Sequence, residues 1–199
     1  MMIHLAIAEE IKKKLSKKSE EFFLGTIAPD LGRLMGISKI TTHFQNDDDC
    51  IPVLKKFLDK YKVDNDFFLG YYIHLYTDYL WFKYFIPEVR FKDSIVLLNG
   101  EKVICDDELY LKFIYNDYTN LNAQLMDLYN LNLSMFYKPV NIPSISMDEL
   151  PLSKLQFLLD KSREFLESSK EQKNYLLDIE SIKNFINFSA DVIYSDIKK

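Results

Sequence analysis

The imidazole supply of this chain is three residues, His4, His43 and His74, each set among apolar or hydroxylic neighbours. Two aspartates, Asp30 and Asp78, have similarly apolar surroundings. Three imidazoles and two carboxylates form a donor set that zinc and other borderline transition metals take up. His74 and Asp78 are four residues apart, so on a helix they share a face, one turn above the other. A stiff helix would fix that part of a coordination geometry before metal arrives, and a carboxylate can bridge two ions. The chemistry such a set offers is activation of water: a water held by a divalent ion loses its proton near neutral pH and becomes a nucleophile. Taken singly, each histidine reads more simply as a packed core or surface residue, and HxxxD spacing alone is weak evidence.

The element that must hold His74 and Asp78 runs from Phe67 to Ile86, FFLGYYIHLYTDYLWFKYFI. It is apolar or aromatic on nearly every face, the pattern of a buried central helix. Its length, about 20 residues, is also that of a membrane span, but His74, Asp78 and Lys83 oppose that reading because ionisable groups at bilayer depth are costly. Gly70, a turn before His74 on the same face, leaves room for something to approach.

Around it the chain reads as helices. One opens near His4, continues through Ala8, Ile11 and Leu15, and carries a solvated basic end at Lys12, Lys13, Lys14, Lys17 and Lys18. Ser19 caps a second, with Glu20 and Glu21 in its first turn. Pro29 stops it by Ala28, which leaves Asp30 in a turn. Residues 31–49 read as irregular, holding Thr41-Thr42-His43-Phe44 and then Asp47-Asp48-Asp49, which cap a helix from Ile51 to Tyr61. Asn65 or Asp66 caps the central helix. Residues 94–105 carry a hairpin that turns at Asn99-Gly100 in a type I′ turn. Asp107 or Glu108 opens a helix to about Tyr129 that includes Asp117. Pro139, Pro143 and Pro151 make 138–151 an extended connector, and amphipathic helices close the chain over 152–169 and 174–196. The expectation is one all-α domain over 1–199 with a small β-hairpin.

Composition fits a globular protein, with 48% apolar and 15% aromatic residues. A net charge of −5 argues against a nucleic-acid-binding face. No secretory signal is read at the start. Cys50 and Cys105 lie far apart without metal-type spacing, so free thiols in a reducing cytoplasm are expected.

Order and context sharpen the donor set. His4-Leu-x-Ile-Ala, Phe-Leu-Gly-Thr-Ile-Ala-Pro-Asp30, Thr-His43-Phe and Leu-Gly-Tyr-Tyr-Ile-His74-Leu-Tyr-Thr-Asp78 resemble motifs of the zinc-dependent phospholipase C family, whose superfamily includes P1-type nucleases. The resemblance covers about residues 1–85. It implies an all-α fold, with His4, Asp30, His43, His74 and Asp78 as metal ligands and Asp78 placed to bridge two ions. Secreted members also use a mature N-terminal amine and further His and Glu ligands after this helix. Here no signal cleavage is evident and no histidine follows His74, so one or two ions are implied, zinc first, with manganese or iron as alternatives. A further ligand would be a carboxylate or amide, with Asp117 the first candidate and an exposed helical aspartate its plain alternative.

The expected function is a metal-dependent phosphoric-ester hydrolase acting on a small phosphoester or lipid head group, with Asp30 and Asp78 at the reacting centre. Arg33 and Lys39 would hold a substrate phosphate, unless they are solvated loop charges. Tyr71 and Tyr76 would line the pocket. The alternative is a metal-stabilised helical protein that binds a ligand or partner without turnover. An HD-type phosphohydrolase would need an adjacent His-Asp pair, and the chain has none.

Overall fold

The computed structural model describes residues 1–16, 18–46, 50–168 and 173–199, mainly helical with one small antiparallel sheet. α1 (Met2–Lys14) ends on Lys12, Lys13 and Lys14, where cations meet the carbonyl end of the helix. α2 (Glu20–Ile27) follows Ser19. Pro29 does not end the helical path. The chain tightens into a 3-10 turn over Ala28–Asp30 and runs on as α3 (Leu31–Leu34), because an N–H missing at the start of a turn is one the turn does not need. α4 (Lys39–Thr42) is capped by the Ser38 hydroxyl, so residues 31–46 are less irregular than expected. Asp47, Asp48 and Asp49 lie outside the described residues, as does Lys17. The next helix, α5 (Leu54–Leu58), is shorter than expected, since an antiparallel bridge between Gln45 and Pro52 keeps its approach extended.

α6 (Asp66–Leu80) is capped by Asn65, whose side-chain oxygen accepts from the N–H groups of Phe67 and Phe68. Phe67, Tyr71, Ile73 and Leu75 are fully buried, as a helix apolar on all sides requires. It widens into a π turn over Trp81–Phe85 and continues as α7 (Ile86–Val89). Pro87 has no N–H for the Lys83 carbonyl, and the Ile86 N–H reaches back to Trp81 instead. Among the described residues no helix is long and apolar enough to cross a membrane.

α2 lies along α6 at a separation that only glycine permits. A Cβ on Gly25 would stand 2.0 Å from the Phe67 carbonyl oxygen, and one on Gly70 would stand 2.0 Å from that of Phe22.

β1 (Arg90–Phe91), β2 (Ser94–Val96) and β3 (Lys102–Ile104) form the antiparallel sheet in that order, with Ile95 opposite Val103. The hairpin turns where expected but not as a type I′ turn. Gly100 has φ of 83° and Asn99 is not left-handed. The Gly100 N–H donates to the Leu97 carbonyl and the Leu97 N–H to the Glu101 carbonyl, a three-residue loop with glycine in the left-handed position. α8 (Asp107–Leu128) is capped by Asp106. The connector 138–151 holds no helix or strand, and α9 (Leu155–Ser168) and α10 (Ile179–Ile197) close the chain. α1 packs against α2, α6, α8 and α10, which puts its first turns, and His4, next to the central helix.

Candidate metal centre

The close α2–α6 crossing brings the Thr26 carbonyl to His74, whose Nδ1–H donates to it at 2.9 Å. A carbonyl only accepts, so the neutral ring carries its lone pair on Nε2. His43 leaves the end of α4 with its Nδ1 2.9 Å from the Thr42 hydroxyl. Thr42 is fully buried above Gly32, where a Cβ would come within 2.4 Å of the threonine methyl. Its carbonyl accepts from the Tyr71 hydroxyl at 2.5 Å. Phe44 turns the chain away immediately afterwards at a φ of 53°, uncommon for a residue with a Cβ.

His4 reaches in from α1. Its Nε2 is 2.9 Å from Asp78 Oδ1, and its ring stacks on that of His74 with centroids 4.0 Å apart. The Nε2 atoms of His43 and His74 are 3.2 Å apart, and they lie 3.6 and 3.8 Å from Asp78 Oδ2. A zinc tetrahedron with bonds of about 2.0–2.1 Å has edges of about 3.3–3.4 Å, close to this triangle. The two Asp78 oxygens thus address different rings, as a bridging carboxylate would. Donor atoms of Asp30, His43 and His74 lie within 4.8 Å of one another, and so do those of His4, His74 and Asp78.

Burial pushes the Asp78 carboxyl up, but the His4 hydrogen bond and the neighbouring imidazoles outweigh it and hold it far below the usual range. Asp30 is likewise pushed up by burial and pulled down harder by His74, the amino terminus, His4 and His43, to about 2. Burial lowers His43 to about 4 against the pull of Asp78. Burial, and then His4, holds His74 well below its ordinary value. The stable state is therefore two carboxylates beside two neutral, buried rings.

That state fits a cation. Among the described residues no lysine or arginine forms an ion pair with Asp30 or Asp78, and the ion-pair partners of Asp78 are the three imidazoles. His4 Nδ1 is buried with no hydrogen-bond partner. Buried negative charge without a fixed counter-charge is costly, and a divalent ion among these donors would supply one.

The five residues expected as ligands are therefore together, and the sixth is elsewhere. Asp117 is neither near the centre nor an exposed helical aspartate. It is fully buried and accepts from the backbone N–H groups of Tyr175, Leu176 and Leu177, which leaves no free oxygen for an ion. Tyr71 lines no pocket, being fully buried behind Thr42, and Tyr76 packs edge-on against Tyr72. Arg33 and Lys39 are exposed. Arg33 donates to the Tyr115 hydroxyl at 2.8 Å, and Lys39 lies over the Phe82 ring, close enough for its charge to act on His43. Thr26 and Thr42 were not foreseen. Thr42 stands beside a candidate ligand in the sequence, while nothing in the sequence marks the Thr26 carbonyl. No protein-family model, no curated protein and no solved structure matches the chain.

Proposed function

We propose that this chain is a metal-dependent hydrolase of phosphoric esters, akin to the zinc-dependent phospholipase C family that residues 1–85 resemble. The observation that carries the proposal is the convergence of His4, Asp30, His43 and the His74–Asp78 pair from four segments of the chain, with the Nε2 atoms of His43 and His74 and Asp78 Oδ2 at 3.2–3.8 Å. Zinc is the expected ion, at one or two per chain, with manganese and iron as alternatives. When bound, it supplies an activated water and positive charge for the phosphoryl oxygens.

The chain's own part is positional. His43 and His74 present nitrogens whose orientation Thr42 and Thr26 fix from behind. Asp78 offers one oxygen to the His4 side and one to the His43–His74 side. Asp30 adds a second negative charge beside His43 and His74. Were these five donors to hold two ions, each ion would be short of a closed protein shell and would leave positions for water and substrate. Of the two exposed cations Arg33 and Lys39, Lys39, whose charge acts on His43, would favour an anionic substrate. The net charge of −5 favours a compact phosphoester or lipid head group over a long polyanion. Both cysteines are free, which agrees with a reducing, cytoplasmic setting.

The test begins with elemental analysis of protein purified without chelator. It continues with a panel of aryl phosphate monoesters, diesters and phospholipids under added zinc, manganese or iron. Chelator-sensitive turnover is expected, and Asp30→Asn should lower it sharply. Metal-loaded protein inert across the panel would favour the non-catalytic, metal-stabilised reading.

A further inference from the structure

The hydrogen bonds through the two buried imidazoles can be given a direction. His74 Nδ1 must donate to the Thr26 carbonyl, so His74 Nε2 holds a lone pair. That lone pair faces His43 Nε2 at 3.2 Å. Two lone pairs at that distance repel, so without an ion His43 Nε2 carries the hydrogen and donates. Neutral His43 then has its lone pair on Nδ1, where its partner is the Thr42 hydroxyl at 2.9 Å. The row runs one way: Thr42 O–H to His43, His43 Nε2–H to His74, His74 Nδ1–H to Thr26.

Holding a divalent ion requires both Nε2 atoms to offer lone pairs. His74 is already in that tautomer. His43 is not: as the ion enters, the Nε2 proton passes to solvent water and Nδ1 takes one up from solvent water, so the ring's proton count and charge do not change. Once the ion is seated the new Nδ1–H needs an acceptor within the protein, and Thr42, fully buried, stands beside it. A hydroxyl is donor and acceptor at once, and rotation about its Cβ–Oγ bond presents a lone pair where the hydrogen had been.

We propose that Thr42 is a positioning residue that lets His43 exchange tautomers between the metal-free and metal-bound centre, donating to Nδ1 in the first state and accepting from it in the second. The inference rests on the metal-binding reading above. It predicts different roles for two histidines of one centre: His43 switches and His74 does not.

Imidazole ¹⁵N spectra of the whole protein, with and without zinc, test it directly. Metal-free wild type should show Nε2–H on His43 and Nδ1–H on His74, and zinc should convert His43 alone to Nδ1–H. In competition with a chromophoric chelator, Thr42→Val should bind zinc about 10–100-fold more weakly. Thr42→Ser, which keeps the hydroxyl, should restore binding to near the wild-type level. Nδ1–H on His43 in metal-free wild type overturns the proposal, as does unchanged zinc affinity in a folded Thr42→Val protein. If that variant does not fold, the wild-type spectra and Thr42→Ser decide. Wild type that takes up no metal would remove the metal reading and this inference together. Wild type that binds zinc while His43 keeps its tautomer would remove this inference alone.

Discussion

Asp78 in α6 and Asp117 in α8 are the same residue type, both buried in long helices, at 6% and 0% exposure, yet their oxygens are satisfied in opposite ways. Asp117 accepts from the N–H groups of Tyr175, Leu176 and Leu177 at 2.6–3.1 Å, with Asn116 adding a side-chain donor. Asp78 has imidazole nitrogens around it. A backbone amide always donates, so it saturates a carboxylate permanently and ties α8 to the segment ahead of α10. An imidazole can donate or offer a lone pair, so the surroundings of Asp78 can be turned over to an ion. Depth of burial does not separate the two carboxylates here. The kind of donor does.

The contrast is tested most severely at Asp117. Asp117→Ala leaves three buried N–H groups without their acceptor, and the folded state should lose about 3–5 kcal/mol, read from denaturant midpoints. Metal content per folded molecule should not change. A loss under about 1 kcal/mol would mean that the amides find other partners and that the carboxylate is not the fastener described.

Asp78→Asn should behave in the opposite way. An amide of the same shape still accepts from His4, so metal-free stability should move by no more than about 1–2 kcal/mol. Bound metal should be lost, and with it the rise in melting temperature that zinc gives wild type, since metal-binding free energy is also folding free energy. Any chelator-sensitive turnover should fall about 10²–10³-fold. His74→Ala should lose metal in the same way. Full metal content in either variant would break the assignment of the centre.

The same contrast explains what could be read from the chain. Asp78 was legible because His74 stands four residues before it on a helix whose apolar faces announce burial. Asp117 was misread because its partners are backbone N–H groups some 58 to 60 positions away, and every non-proline residue has one. The Thr26 carbonyl escaped notice for that reason too. The mainly helical fold, a cap at Asn65 or Asp66 and the place of the hairpin are local and were anticipated, the cap falling on Asn65. The type of the hairpin turn and the shortening of α5 were not, the latter because a bridge from Gln45 to Pro52 decides it.

Outside the buried centre, effects should be smaller and sensitive to salt. Lys39 is exposed, and under the proposed function it would act on an incoming anion through solvent. Lys39→Ala should raise KM about three- to tenfold at low ionic strength with little change in kcat, and the difference should shrink as salt screens it. Arg33→Ala should do less, since the Arg33 guanidinium already donates to Tyr115. A fall in kcat with unchanged KM would place Lys39 in the reacting centre instead of on its rim.

Asp66 stands between the two buried cases and supplies the finest test. One oxygen accepts from the Ser19 backbone N–H at 2.7 Å, as at Asp117, and the other from Lys18 Nζ at 3.1 Å. Its side chain is 24% exposed, so water competes for both. Burial pushes its carboxyl up, but the Ser19 and Lys18 hydrogen bonds outweigh it and leave it below the ordinary 3.8. A carboxyl lowered by folding contributes stability that is present above its unfolded pKa and lost as pH falls through the folded one. Asp66→Asn should therefore cost less than about 1 kcal/mol at pH 7, and the gap from wild type should close as both proteins are taken below about pH 4. Urea midpoints at neutral and acid pH measure it. A gap that persists unchanged in acid would show that the acceptor geometry at Ser19, and not the charge, holds the start of α2 against α6, which would move Asp66 to the side of Asp117.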